Sequence, residues 1–110
     1  MTASKKLNKL KNRIISKFVG IERIEIKFQK INIFIYDYDI SIEYRYDDVY
    51  HVIIYKISYF RDYGNYQGSL IKAKMCHKLY EIYDVMNEVL LKDEQYKGLL
   101  RKYKLKRILE

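Results

Sequence analysis

A chain of 110 residues that is 49% apolar and 33% charged has the size and composition of one globular domain. Such a chain buries roughly two thirds of the surface that its unfolded form exposes, so a core is expected without metal or disulfide support. No apolar run approaches the ~20 residues of a membrane span, and the single cysteine, Cys76, leaves no internal disulfide, which with no visible secretory signal makes a non-membrane, cytoplasmic protein the expectation.

The formal charge of +8 is unevenly spread. Residues 1–31 carry nine Lys/Arg against two Glu, residues 32–68 carry three basic against six acidic groups, and residues 69–110 carry ten against six. Basic ends around an acidic middle point to polyanion contact by the termini, or to a bipolar surface that meets a charged partner.

The first 20 residues predict a basic amphipathic helix. Leu7, Leu10, Ile14 and Phe18 recur at helical spacing opposite Lys5, Lys9, Lys11 and Arg13, with Gly20 suited to the position past the end. Packing of the apolar stripe on the rest of the fold leaves the lysines in solvent, free for phosphates or an anionic surface.

Residues 21–60 carry the sheet signal. Ile24, Ile26 and Phe28 alternate with Glu25, Lys27 and Gln29; Ile31, Ile33 and Ile35 alternate with Asn32, Phe34 and Tyr36; Ile40, Ile42, Tyr44 and Tyr46 alternate with Ser41, Glu43 and Arg45. A fourth run spans Val49 to Phe60. The separators Gln29-Lys30, Tyr38-Asp39 and Asp47-Asp48 are short, which favours hairpins over crossovers. The expectation is an antiparallel meander of three to four strands.

Residues 61–69, with Gly64-Asn65 and Gly68, read as a loop ending at Ser69, a good N-cap residue. From 70 to 92 the period turns helical, through Met75, Leu79, Ile82, Met86 and Val89. That stripe suits packing on the sheet, and it would also serve a homodimer seam through the 75–90 helix. A last helix over 94–109 carries Arg101, Lys102, Lys104, Lys106 and Arg107, which also offset the dipole at its C-terminus. The fold class is therefore α+β: a basic N-terminal helix, an antiparallel sheet, and two C-terminal helices packed on it.

No motif for catalysis, a metal or a nucleotide stands out, and no cofactor is expected. His77, Glu81 and Asp84 fall at i, i+4 and i+7 of the expected helix, but three groups fall short of a structural metal site and a solvated charged face accounts for them. Cys76 lacks a base oriented beside it. The pairs Asp37/Asp39 and Asp47/Asp48 sit at turns, where carboxylates are wet and unsuited to acid/base work.

Two binding readings remain, neither of them enzymatic. In the first, Asp37, Tyr38, Asp39, Glu43, Tyr44, Tyr46, Asp47 and Asp48 form an acidic, tyrosine-rich sheet edge that binds a protein or nucleoprotein complex, the carboxylates meeting cations built for nucleic acid. In the second, Lys5, Lys6, Lys9, Lys11, Arg13 and Lys17 of the first helix, with Arg101, Lys102, Lys104, Lys106 and Arg107 of the last, bind nucleic acid directly. In size, composition and element order the chain resembles the phage-encoded inhibitors of host defence nucleases, the anti-CRISPR proteins. That resemblance implies a viral or mobile-element protein that sterically blocks a nucleic-acid-handling complex in the host cytoplasm. Many such proteins are acidic, and the +8 charge departs from that pattern.

Overall fold

A computed structural model of the chain describes residues 3–60 and 65–109. Helix α1 (Ala3–Lys17) is followed by strands β1 (Ile21–Lys27), β2 (Lys30–Ile35), β3 (Tyr38–Arg45), β4 (Val49–Phe60) and β5 (Asn65–Cys76), then by helices α2 (Leu79–Leu90) and α3 (Glu94–Leu109). The sheet is a five-stranded antiparallel meander in the order β1-β2-β3-β4-β5. This is an α+β arrangement with five strands where sequence predicted three to four.

The alternation in β1 to β4 decides which sheet face is buried. Ile31, Ile33, Ile35, Tyr38, Ile40, Ile42, Val52 and Ile54 are all buried on one face, paired across strands as Ile33↔Ile40 and Ile40↔Ile54. Helices α1 and α2 cover that face with Leu7, Leu10, Ile14 and Phe18 from one, and Ile82, Val85, Met86, Val89 and Leu90 from the other. Each such side chain stabilises the fold by about 1.5–3 kcal/mol through burial. The helices lie side by side, with the Phe18 ring edge-on to Tyr83 at 5.8 Å. A thickness of 21 Å against 41 × 40 Å is that of one helix layer on one sheet.

The extra strand is β5. Residues 70–76, expected to open a helix, pair with β4 instead, through Tyr50↔Cys76, Ile53↔Ala73 and Tyr55↔Leu70, with a bulge between Ile54 and Tyr55. Ser69 is therefore a strand residue, and α2 starts nine residues later than sequence placed it. The expected loop shrinks accordingly, and residues 61–64, including Gly64, lie outside the described residues. The α2 stripe is used up in the core, so it offers no homodimer seam, and Met75 belongs to the opposite sheet face.

Helix α3 is fastened to the sheet at its start. Asp93 Oδ1 accepts hydrogen bonds from the backbone N–H of Gln95 (2.9 Å) and Tyr96 (3.2 Å), a side-chain N-cap. Asp93 Oδ2 accepts one from the buried Tyr38 hydroxyl at 2.6 Å, with Lys56 Nζ 3.7 Å away. Tyr96 is buried and donates to the Val19 carbonyl at 2.8 Å, and Tyr36 donates to Gln95. At Gly20 the backbone is left-handed (φ +88°), a conformation that favours glycine, and an added Cβ would stand 3.0 Å from Leu99 Cδ2 of α3.

Burial would raise the Asp93 carboxyl, but hydrogen bonds from Tyr38, Tyr96 and Gln95 and the charge of Lys56 outweigh it and hold its pKa below the ordinary value. The folded state therefore favours the carboxylate. Its contribution is full above the unfolded-state pKa of about 4 and is lost as pH falls through the lowered native value. Asp93→Ala should cost about 2–4 kcal/mol in urea unfolding at neutral pH, combining a lost cap with an orphaned Tyr38 hydroxyl. Asp93→Asn should cost less and flatten the stability profile below pH 4. A profile unchanged by Asp93→Asn would remove Asp93 from the acid response.

Candidate interaction surface

Two turns close the same end of the sheet. Lys27 pairs with Lys30 across a two-residue turn of Phe28 and Gln29, and Tyr46–Asp48 form a single 3-10 turn between β3 and β4. A backbone bond from Tyr44 N–H to the Gln29 carbonyl (2.8 Å) ties the two together. Phe28 and Tyr46 are each 90% exposed, the most exposed of the large apolar side chains described. Phe28, Asp47 and Asp48 have left-handed backbones, with φ of +59°, +58° and +59°. A bulky side chain at such a φ is strained by about 1–2 kcal/mol.

Beside these turns α1 begins. Lys6 forms an ion pair with Asp48 and donates to the Tyr44 hydroxyl at 3.4 Å, its nitrogen 5.4 Å from the Tyr44 ring centre. The bond to Lys6 holds the Asp48 carboxyl below its usual range, and the same bond raises Lys6. Lys6, Lys9, Leu10 and Arg13 share one face of α1 at i, i+3, i+4 and i+7 and line a cleft of about 340 Å³ with Asp48, Tyr50, His77, Leu79 and Ile82. Asp48, already held by Lys6, is the only carboxylate in the lining.

The expected acidic edge does not form, because β3 is the middle strand of five. Glu43, Tyr44, Tyr46, Asp47 and Asp48 do gather at the turn end, but Asp37 and Tyr38 lie at the other end of β3, roughly 20 Å away at the rise of a strand. Tyr38 is buried under α3, and its hydroxyl is pushed well up by burial and by the bond to Asp93. Asp39 and Glu43 face the uncovered side of the sheet, where Asp39 accepts from Asn32 at 3.2 Å and Glu43 pairs with Arg45 at 3.2 Å. Burial raises the Asp39 carboxyl against the opposing pull of Asn32 and Lys30.

The cations of the second reading also divide. Lys6, Lys9 and Arg13 reach the turn end, whereas Lys17 lies over the Tyr83 ring (5.1 Å) near the other end of α1, a helix about 22 Å long. Lys5 is exposed and Lys11 half-buried on the same helix. Arg101, Lys102, Lys104 and Lys106 are exposed on α3, which is anchored where α1 ends; the Arg107 side chain lies outside the described residues. Of these cations Lys6, Lys9 and Arg13 line one cleft together.

His77 precedes α2, with Lys78 at the N-cap, so His77, Glu81 and Asp84 do not share a helix face. Among the described residues no group of three or more His, Cys, Asp or Glu comes together to hold a metal. Cys76 ends β5 fully buried, and burial, reinforced by Glu81 against Lys74, raises its thiol pKa. No described helix is long and apolar enough to cross a membrane.

Sequence reading missed Phe28 and His77. Alternation carried β1 one residue too far and assigned Phe28 to the core; the Ile26↔Ile31 pairing, with its midpoint between Phe28 and Gln29, was the available signal. Comparison with family models, curated proteins and solved structures finds no match to this chain. Phe28→Asn, which tolerates a left-handed backbone, should raise stability by about 0.5–1 kcal/mol in urea unfolding. A loss of stability would refute strain at this turn.

Proposed function

We propose that this chain is a non-enzymatic binding protein that engages a nucleic-acid-handling complex through its turn end and acts by occupying a surface there. The observation that carries this reading is the pair of aromatic side chains, Phe28 and Tyr46, standing in water at the same end of the sheet. Folding gains nothing from either. A Phe in the left-handed turn is strained as well as unburied, and Gly or Asn would serve the hairpin better. Exposed aromatics flanked by charge are the anchors from which binding hot spots are made.

The charge around them suits a mixed partner. Glu43 and Asp47 flank Tyr46 and complement the cations of a nucleic-acid-binding groove, while Lys9 and Arg13 complement phosphate. A protein carrying bound nucleic acid presents both. Steric blockade of such a complex, the activity implied by the likeness in build to anti-CRISPR proteins, requires no catalytic group. A second reading, direct nucleic-acid binding, is favoured by the cation-lined cleft.

Affinity capture with the wild type and a Phe28→Asn/Tyr46→Ser double variant, each with and without nuclease treatment, separates the two. Loss of two hot-spot anchors should weaken retention of the partner by roughly 30-fold or more, with the fold intact by circular dichroism. Equal retention by both proteins would sink the proposal. Retention that vanishes with nuclease while ignoring the double variant would transfer the function to direct nucleic-acid binding.

A further inference from the structure

The cleft between the starts of α1 and α2 sets the cations Lys9 and Arg13 against an apolar wall that the turn-end contact does not use. Lys9 and Arg13 point into it one helical turn apart, and neither is paired with a carboxylate among the described residues. Lys6 and His77 complete the polar wall, and Asp48 contributes a negative charge that Lys6 already neutralises. The other wall is apolar: Leu10, Tyr50, Leu79 and Ile82. The first turn of α2 opens here with Lys78 at the N-cap, no side-chain hydrogen bond capping it and Glu81 as its acid, whereas α1 has no acid in its first turn. The α1 dipole therefore adds positive potential to the cation-rich wall, and that of α2 is offset in part by Glu81.

We infer that this cleft is a binding site for a phosphorylated ligand of about nucleotide size, its phosphoryl group held by Lys9, Arg13 and His77 and its flat apolar part laid against Tyr50, Leu10 and Ile82. A volume of about 340 Å³ lies at the lower end of small-ligand sites and accommodates one nucleotide. A guanidinium and an ammonium on successive turns of one helix present charge-assisted donors to a phosphoryl group from the same side. Asp48 sets the affinity, because it holds Lys6 away from the ligand. The inference shares Lys9 and Arg13 with the turn-end reading but not its anchors, since Phe28 and Tyr46 do not line the cleft.

The same chemistry is offered by a free nucleotide and by the terminal phosphate of a nucleic-acid strand. Isothermal titration at low ionic strength with adenosine monophosphate, inorganic pyrophosphate, and a short single-stranded oligonucleotide bearing either a 5′-phosphate or a 5′-hydroxyl tells them apart. Saturable binding of one equivalent is expected for at least one phosphorylated probe. Tighter binding of the 5′-phosphorylated strand than of the nucleotide assigns the site to strand ends; the reverse order assigns it to free nucleotides. Lys9→Gln/Arg13→Gln should weaken binding at least tenfold, as the loss of two charge-assisted hydrogen bonds requires. Asp48→Asn, which releases Lys6, should tighten it several-fold, an outcome that mere damage to the fold cannot produce. The inference is overturned if no phosphorylated probe saturates, if the Lys9/Arg13 variant binds as wild type, or if phosphorylated and hydroxyl strands bind alike. Phe28→Asn/Tyr46→Ser should leave this binding unchanged, so the two proposals fail separately.

Discussion

The chain must cover one isoleucine-bearing face of a five-stranded sheet with two amphipathic helices, and most of the molecule follows from that. The strands put Ile31, Ile33, Ile35, Ile40, Ile42, Val52 and Ile54 on one side, and α1 and α2 carry the matching apolar stripes. Helix α3 joins the same core cluster through Tyr96, Leu99 and Leu100, and the opposite face carries charged pairs. There Arg23 pairs with Glu25 and Arg45 with Glu43, while Leu70 and Met75 stay 61% and 44% exposed near the β5 edge. The charges on that side neutralise each other locally, so it is no platform for a polyanion. The unbalanced positive charge lies elsewhere.

Its location is fixed by the number of strands. A linker of three residues joins α1 to β1, so α1 must stop at the end where β1 starts. In an antiparallel meander each strand reverses direction, and after an odd number of strands the chain leaves from the end opposite to the one it entered. Helix α2, entered two residues after β5, therefore begins at the end where α1 also begins. Four strands would have started α2 at the far end, antiparallel to α1, and separated the two N-termini. The fifth strand is thus what brings His77 and the uncapped start of α2 beside Lys6, Lys9 and Arg13.

That fifth strand was the least legible part of the sequence, for a physical reason. Strands β1 to β3 alternate isoleucine with mostly polar residues, and one buried face imposes that period. Strand β5 lies at the sheet's edge and needs no such pattern: Lys72 and Lys74 occupy its helix-side positions, Leu70 and Met75 the open side, and a bulge breaks the count between them. Met75 then happens to stand four residues before Leu79, so the stripe of α2 appeared to begin too early. The turns were read late by one or two residues because aromatic residues, Phe28 and Tyr36, occupy left-handed positions where Gly or Asn is the usual signal. The helical stripe of α1, the break at Asp93 and the span of α3 were legible because capping chemistry and a 3.6-residue period mark them directly. Which lysines would meet which acids was not, since Lys6 and Asp48 are 42 residues apart and only topology joins them.

The two ends of the sheet carry their polar groups in contrasting states. At the α3 end, Tyr38, Asp93, Lys56 and the first N–H groups of the helix bond one another, with the phenol buried and the carboxylate used by both the helix start and the sheet. At the turn end, the polar and aromatic groups exceed what the fold consumes. Lys6 and Asp48 neutralise each other, but Lys9, Arg13 and His77 have no carboxylate assigned to them, and Phe28 and Tyr46 have no core to enter. The left-handed residues divide the same way. Of the four non-glycine positions with positive φ among the described residues, Tyr36 is at the α3 end, where its hydroxyl bonds Gln95 and its ring lies 6.4 Å from Tyr96; Phe28, Asp47 and Asp48 are at the other. Strain at Tyr36 is offset by packing inside the molecule. Phe28 is 90% exposed, with the Lys27 ammonium 5.9 Å from its ring centre, so strain there is offset less by packing than at Tyr36.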